Sequence, residues 1–285
     1  MRPRSPSRWR GRTCDVPDIV TRPQVTIPRL IGMVHLDPLP GSPDFSGSID
    51  RVVDAAMRDA MALVAAGFPS LMIENFGDAP FFPDDVPAVT VAAMARVATE
   101  IRTIADVPLG INVLRNDGLA ALAVAAAVEA SMIRINVLSG TMYTDQGPIV
   151  GRAAEVARSR SQIAPGVAVL ADVFVKHASP PPGLTIAQSA VDTWERGGAH
   201  ALVVSGTGTG VAISLEDART VRTAVPEAPI VVGSGALPDL LAELSEVVDA
   251  AIVGTAIKID GVATNRVDPA RAEAFIGAAA RIGWI

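Results

Sequence analysis

Eight short apolar runs, separated by longer stretches with helical spacing, constrain the fold of this chain more than any other feature. Each run is almost continuous in Val, Ile and Leu, which is typical of parallel strands buried on both faces. The runs are LIGMVHL (30–36), SLMIEN (70–75), PLGINVL (108–114), SMIRINV (131–137), VAVLADVFV (167–175), HALVVSG (200–206), PIVVGSG (229–235) and AAIVGT (250–255). Helical spacing between them is clearest at 48–67, 90–105, 118–129 and 184–198.

Eight strand–helix units predict an α/β fold, a single closed (β/α)8 TIM barrel. The 285 residues, of which 49% are hydrophobic, suit one barrel domain of about 250 residues. The alternative is an open doubly wound sheet, which prefers a glycine-rich turn after its first strand. Here that turn is the proline-rich HLDPLPGSP (35–43). We therefore expect a barrel domain over residues 29–285.

The first residues differ from the rest in charge and pattern. Residues 1–24 carry six Arg against two Asp and have no periodic apolar face. This composition predicts a basic, disordered extension, which we bound at residues 1–28. A targeting tail and a translation start placed too early are alternatives, but an apolar segment typical of a secretory signal is absent from this stretch.

Charge and cysteine content exclude several classes of function. The net charge of −6 gives no overall basic field for nucleic acid. No apolar run approaches the roughly 18 residues of a membrane span, so stable membrane insertion is not expected. The single cysteine, Cys14, excludes an intrachain disulfide and suits a reducing compartment. We expect a cytoplasmic protein, and association into homo-oligomers is left open.

Polar residues concentrate at the carboxyl ends of the predicted strands, which form the functional mouth of a barrel. Charged side chains inside apolar strands are costly unless paired, so we expect a buried network of ion pairs at this mouth. The alternative is that Arg134 has only a structural role and neutralises a carboxylate in the core. His200 opens its strand at the opposite end and is expected to be structural. The predicted catalytic residues are Glu74, Asp172, Lys176, His35 and Arg134. The predicted substrate-binding residues are Asn75, Asn112, Asn136 and His177.

The charged candidates suggest roles in proton transfer and carbonyl chemistry. Glu74 and Asp172 are candidate general bases, and burial would raise the pKa of each carboxyl. Lys176 is a fixed cation if paired with a carboxylate, and a nucleophile if unpaired and desolvated. A regular strand to residue 176 would put it on the same face as Asp172. The carboxylates and amides on neighbouring strand ends favour the cation, and a solvated loop lysine is the further alternative. No cofactor is required by this set, although a divalent metal held by Glu74, Asp172 and His35 is a minor alternative.

Glycine-rich turns follow the last three predicted strands. Barrels often bind phosphate with the loops after their seventh and eighth strands and the start of a short helix. We therefore predict a phosphate cup, with the alternative that the glycines serve only tight turns. A Walker motif is absent, so a nucleoside triphosphate is not implied. The cup residues are Ser205, Gly206, Thr207, Gly233, Ser234, Gly235, Gly254 and Thr255.

Nine segments in one order, across about residues 30–276, together resemble the BtpA/SgcQ family. They are GMVHLDPLPGSP (32–43), ENFGDAPF (74–81), GINVLRND (110–117), IRINVLSG (133–140), TDQGPIVG (144–151), ADVFVKHA (171–178), SGTGTG (205–210), VGSG (232–235) and VGTAIKIDG (253–261). The resemblance implies a barrel of the phosphate-binding type and, from the family's name, a link to photosystem I biogenesis. It implies no set of catalytic residues.

Two functions follow as hypotheses. The first is an enzyme that acts on a small phosphorylated metabolite, such as a sugar phosphate, as an isomerase or as an aldolase-like lyase at the barrel mouth. The second is a non-catalytic assembly or stability factor of the photosystem I biogenesis type. The polar mouth favours the enzyme, because a scaffold has no need of four charged groups inside apolar strands.

Overall fold

A computed structural model describes residues 25–206, 208 and 213–285. Eight parallel strands in this part form a closed barrel, which confirms the predicted fold, and each lies within one of the eight apolar runs. Numbered along the chain, the strands are β1 Leu30–His35, β2 Leu71–Glu74, β3 Leu109–Asn112, β4 Met132–Ile135, β5 Thr141–Thr144, β6 Gly147–Val150, β7 Ala168–Val173, β8 Ala178–Ser179, β9 Ala201–Val204, β10 Ile230–Val232 and β11 Ala250–Val253. Around the barrel the order is β1, β2, β3, β4, β7, β9, β10 and β11, and β11 pairs with β1.

Helices surround the barrel and pack on its outer face. They are α1 Ile49–Ala66, α2 Ala88–Ile104, α3 Gly118–Ala127, α4 Ala153–Ile163, α5 Ile186–Val191, α6 Leu215–Ala224, α7 Leu241–Leu244 and α8 Pro269–Arg281. Local chemistry sets the ends of α1: the Ser48 hydroxyl accepts a hydrogen bond from the Arg51 N–H, and Gly67 ends the helix with φ of 98°. Among the described residues, no helix is both long enough and apolar enough to cross a membrane.

The strand register aligns four of the predicted site residues at one level of the barrel. His35 pairs with Glu74, Glu74 with Asn112, and Asn112 with Arg134. These residues lie in four adjacent parallel strands, so their side chains reach the same end. The barrel topology therefore places the mouth where the sequence predicted it.

The barrel interior is filled with apolar side chains, and two residues before β1 pack against them. Val25 and Ile27 contact this interior core, although both belong to the segment that we assigned to the extension at 1–28. Residues 1–24 lie outside the described part of the chain. His200, buried at the amino end of β9, accepts a hydrogen bond at Nδ1 from the Val169 N–H (3.2 Å).

A small antiparallel sheet that the sequence did not predict covers one side of the mouth. In it β5 pairs with β6 and with β8, so the segment after β4 is joined to the segment after β7. Strand β7 itself ends at Val173, and Phe174 takes a φ of 56°. The expectation of a regular strand through Lys176 is therefore wrong, because the chain turns out of the barrel at Phe174 to form the added sheet.

Candidate active site at the barrel mouth

Two cavities open at the mouth and share three side chains, His35, Glu74 and Lys176. The first cavity, of about 340 Å³, lies against the carboxyl ends of β10 and β11. The second cavity, of about 430 Å³, lies against the loops that follow β1, β2 and β3. The shared side chains therefore stand on the boundary between two chemically different compartments.

His35 is held as a neutral imidazole. Its Nδ1 is 3.0 Å from the carbonyl oxygen of Ala263, which can only accept, so we assign the proton to Nδ1. Burial, helped by the charge of Lys258, lowers the pKa of His35 to about 3. The ring stacks on Phe76 with centroids 4.3 Å apart. Its Nε2 lone pair thus faces the Glu74 carboxylate, 3.6 Å away.

Lys176 lies at the boundary without a carboxylate partner. Its ammonium makes no ion pair within 4 Å among the residues that the structure describes, and the expected pairing with Asp172 or Glu74 is not formed there. Burial lowers the pKa of Lys176 more than the nearby charge of Glu74 raises it. A lowered pKa raises the share of neutral amine and so favours the nucleophile over the fixed cation.

Arg134 and Asp172 form a closed pair below the cavities. The guanidinium donates two hydrogen bonds to the carboxylate, Nε to Oδ1 and Nη2 to Oδ2, both 2.9 Å long. Asn136 Nδ2 donates a third, to Oδ2, at 3.1 Å. Both side chains of the pair are at most 1% exposed. The geometry fits the alternative reading of Arg134 as a neutralising strut, and it leaves Asp172 poorly placed to act as a base.

The closed pair also supports the phosphate side of the mouth. Arg134 Nη1 donates to the carbonyl oxygen of Gly233, and Nη2 donates to the hydroxyl of Ser205, each at 3.4 Å. A Cβ on Gly233 would overlap Val203 and Ser205, so glycine is required by this close packing. The ion pair therefore holds the turn after β10 in place.

The four predicted substrate-binding residues divide into two groups. Asn75 accepts from the Leu114 N–H at 2.7 Å and donates to Asp78 at 3.0 Å, and Asn112 donates to the carbonyl oxygen of Arg134 at 3.1 Å. These bonds make Asn75 and Asn112 part of the scaffold. Asn136 and His177, in contrast, line the second cavity.

Five of the predicted cup residues line the first cavity: Gly233, Ser234, Gly235, Gly254 and Thr255. The Ser234 hydroxyl is buried and has no hydrogen-bond partner in the described part of the chain. Ser205 and Gly206 lie beside this cavity rather than on its wall, and Thr207 is outside the described residues. The helical segment after β10 begins only at Pro238, so the N–H groups at the cavity belong to the loop.

Arg271 is a cavity residue that sequence reasoning missed. It lies in the first turn of α8 and lines the first cavity, and 45% of its side chain is exposed. A guanidinium matches the geometry of phosphate oxygens. The search for polar residues at strand ends could not find it, because it comes from the helix that follows the last strand.

A second buried ion pair was also missed. Lys258 Nζ is 2.9 Å from Asp59 Oδ2, and the other oxygen of Asp59 accepts from the Val267 N–H at 2.8 Å. The pair ties α1 to the segment that carries Ala263, the partner of His35. Asp59 could not be recognised from the sequence as part of an ion pair, because it falls within the helical pattern of α1 like any other helix residue.

The metal alternative finds no support in the side-chain positions. In residues 25–206, 208 and 213–285, no three His, Cys, Asp or Glu side chains are grouped so that they could hold a metal ion. Of the three proposed ligands, Asp172 is bound by Arg134. His35 and Glu74 alone do not make a site.

The family model described as the BtpA family matches residues 26–281. The chain belongs to the BtpA family. It is 48% identical to an uncharacterised protein of Thermococcus kodakarensis over 87% of this chain and 93% of that one. It is 43% identical to the photosystem I biogenesis protein BtpA of Synechocystis, covering 88% of each chain. The sgc region protein SgcQ of Escherichia coli is 30% identical, over 87% of this chain and 92% of its own length.

Solved structures share the barrel with this BtpA-family chain at low sequence identity. A thiamine phosphate pyrophosphorylase from Pyrococcus furiosus has a TM-score of 0.55 at 15% identity, over 90% of this chain and 96% of its own. A phosphoribosyl anthranilate isomerase from Thermus thermophilus has a TM-score of 0.52 at 13% identity, over 89% and 99%. At such identities the likeness establishes the fold alone.

Proposed function

We propose that this BtpA-family protein is an enzyme that acts on a small phosphorylated metabolite, such as a sugar phosphate. One observation carries the proposal: a half-buried lysine without an ion pair in the described part of the chain lies beside a buried carboxylate and a neutral histidine, next to a glycine-rich cavity. The three side chains are Lys176, Glu74 and His35. Perturbed ionisable groups in a cleft are typical of catalytic sites.

The first cavity is proposed to bind the phosphate. The Ser234 hydroxyl is buried and has no hydrogen-bond partner among the described residues, and a phosphate oxygen would accept the hydrogen bond that it lacks. Thr255 and the loop N–H groups after β10 and β11 add neutral donors. Arg271 adds a charged one at the rim.

The shared side chains are proposed to carry the chemistry on a carbonyl. The neutral amine of Lys176 attacks the carbonyl carbon, and loss of water leaves a protonated imine. The bond between the α and β carbons then breaks, its electron pair converts the imine into an enamine, and Glu74 takes the proton of the β-hydroxyl as the β carbon leaves as a carbonyl compound. Protonation of the enamine and hydrolysis of the imine release the second product and restore the amine of Lys176. This is a retro-aldol cleavage, the reaction of a lyase.

Isomerisation is the second reaction that the same groups support. Glu74 would move a proton next to the carbonyl, and Lys176, protonated, would stabilise the enolate oxygen. His35 cannot supply a proton from an imidazolium near neutral pH, because its pKa is lowered by burial to about 3. Its Nε2 acts as an acceptor for a substrate hydroxyl or for protonated Glu74.

A thermal-shift screen with a metabolite library tests the phosphate claim. A ligand at 100 times its Kd stabilises the protein by roughly 2.7 kcal/mol, and we expect hits among phosphorylated compounds. Ser234→Asp should abolish those hits by repulsion, whereas Ser46→Asp, at an exposed loop position, should keep them. Hits confined to unphosphorylated compounds would contradict the proposal.

Borohydride trapping separates the two reactions. A covalent adduct at Lys176 with a carbonyl hit, found by peptide mass, would establish the imine. Full activity of Lys176→Arg would instead support the cation, since arginine keeps the charge but forms no imine. Normal turnover by Lys176→Ala would remove the residue from either mechanism.

A non-catalytic assembly factor is the second candidate, favoured by the name of the Synechocystis relative. It predicts a stoichiometric protein partner whose capture by this chain is unaffected by Ser234→Asp. Stabilisation by a phosphorylated metabolite, lost in that variant, would count against it.

A further inference from the structure

The second cavity contains a buried guanidinium that makes no ion pair within 4 Å with a carboxylate of the described residues, although the charges of Asp172, Glu74 and Asp145 act on it at longer range. Arg115 follows β3 and is 4% exposed. Its Nη2 donates to the carbonyl oxygen of Lys176 at 2.5 Å, and its Nε is buried with no partner among the described atoms. The positions left undescribed in the loop after β9, 207 and 209–212, contain no Asp or Glu.

An unneutralised buried cation is costly, so this arrangement calls for an anion. The other charges at the second cavity supply too little negative charge. Asp37 is bound by Arg266, and Asp44 is exposed at the rim. Glu74 faces an uncharged His35, and its single charge acts on both Arg115 and Lys176. Lys176 adds a second cation without an ion pair in the described structure.

The walls of the second cavity are apolar and include two aromatic rings. Leu36, Pro38, Phe76, Phe81 and Leu114 all line it. Apolar walls with aromatic rings favour a planar apolar ligand body, and the planar fork of a guanidinium pairs best with a carboxylate. The volume of about 430 Å³ lies within the range of small-ligand sites.

We propose that the second cavity binds a carboxylate on a planar apolar body, carried by the molecule whose phosphate occupies the first cavity. This inference rests on the proposed function and narrows its substrate to a phosphorylated compound with an anionic group at its other end. The two cavities meet at His35, Glu74 and Lys176. A ligand that fills both would therefore place its middle portion at the reacting groups.

The test uses calorimetric titration of the full chain with benzoate, its neutral analogue benzyl alcohol, and inorganic phosphate. We expect benzoate to bind at least about tenfold more tightly than benzyl alcohol. Arg115→Met should remove that difference and leave phosphate binding unchanged. Arg58→Met, at an exposed position on α1, is the matched control and should behave as the wild type.

Equal affinity of the wild type for benzoate and benzyl alcohol would overturn the proposal, and this comparison does not depend on the folding of any variant. Phosphate should still bind when benzoate is saturating; mutual exclusion would mean a single anion site and would also overturn it. Phosphate binding without benzoate binding refutes this inference alone. Benzoate binding without phosphate binding refutes the proposed phosphate site, and with it the single-ligand part of the inference.

Discussion

Two groups of charged side chains lie at the mouth, and they differ in how completely they are neutralised. Arg134 and Asp172, within β4 and β7, satisfy each other with two hydrogen bonds of 2.9 Å. Lys176 and Arg115, just beyond the ends of β7 and β3, make no ion pair among the described residues. The closed pair contributes to stability and positioning, and the open group is the one left available to a ligand.

The largest expected effect comes from breaking the closed pair. Asp172→Ala leaves the Arg134 guanidinium buried without its anion, which should cost about 3–5 kcal/mol of unfolding free energy. The double variant Arg134→Met/Asp172→Leu should lose much less, because no charge is left uncompensated. Urea denaturation measures both, with Asp54→Ala, at an exposed position on α1, as the control. A loss below about 1 kcal/mol for Asp172→Ala would contradict the contrast drawn here.

The next effect is a pH dependence of the stability, and it comes from His35, which lines both cavities together with Lys176. Burial lowers the pKa of His35 to about 3, so between pH 6.5 and 3 the unfolded chain binds a proton that the folded chain does not. Stability from this residue is complete above pH 6.5 and is lost as the pH falls. Between pH 7 and pH 4.5 the wild type should lose about 2–3 kcal/mol more than His35→Gln. Parallel losses in urea titrations of the two proteins would show that His35 titrates normally.

Removing the unpaired lysine should have a smaller effect on stability. Lys176→Met deletes a half-buried cation that makes no ion pair with the described residues, so the unfolding free energy should change by about 1 kcal/mol or less. Equilibrium urea unfolding beside Asp172→Ala makes the comparison direct. If Lys176→Met were as damaging as Asp172→Ala, Lys176 would have a partner that stabilises the fold.

The smallest effect is expected at Ser234. Its hydroxyl has no hydrogen-bond partner among the described residues, so Ser234→Ala should change the unfolding free energy by about 0.5 kcal/mol or less. Ser70 is the matched control, since its buried hydroxyl donates to the carbonyl oxygen of Leu30 at 2.7 Å. Ser70→Ala should therefore cost about 1 kcal/mol or more. Thermal unfolding of both variants measures the difference. A loss for Ser234→Ala as large as that for Ser70→Ala would mean that the Ser234 hydroxyl has a hydrogen-bond partner in the folded protein.

The barrel could be read from the sequence because its signals are local. The apolar runs contain all eight barrel strands, and the predicted helix at 48–67 corresponds to α1 at Ile49–Ala66. The added sheet of β5, β6 and β8 was missed because its strands are short and partly exposed, so they leave no continuous apolar run. Arg271 and the Asp59–Lys258 pair were missed because they lie on helices and in a late loop, away from strand ends.

The sequence by itself determined which strand-end residues reach the mouth, because parallel strands in a closed barrel bring all their carboxyl ends to one side. Only the tertiary structure decided which charge meets which. From the sequence, either Arg134 or Lys176 could form the ion pair with Asp172. The turn at Phe174, with φ of 56°, takes Lys176 out of the strand. Pairing depends on distances of a few ångströms between side chains from different strands, and residue type and spacing along the chain do not specify these.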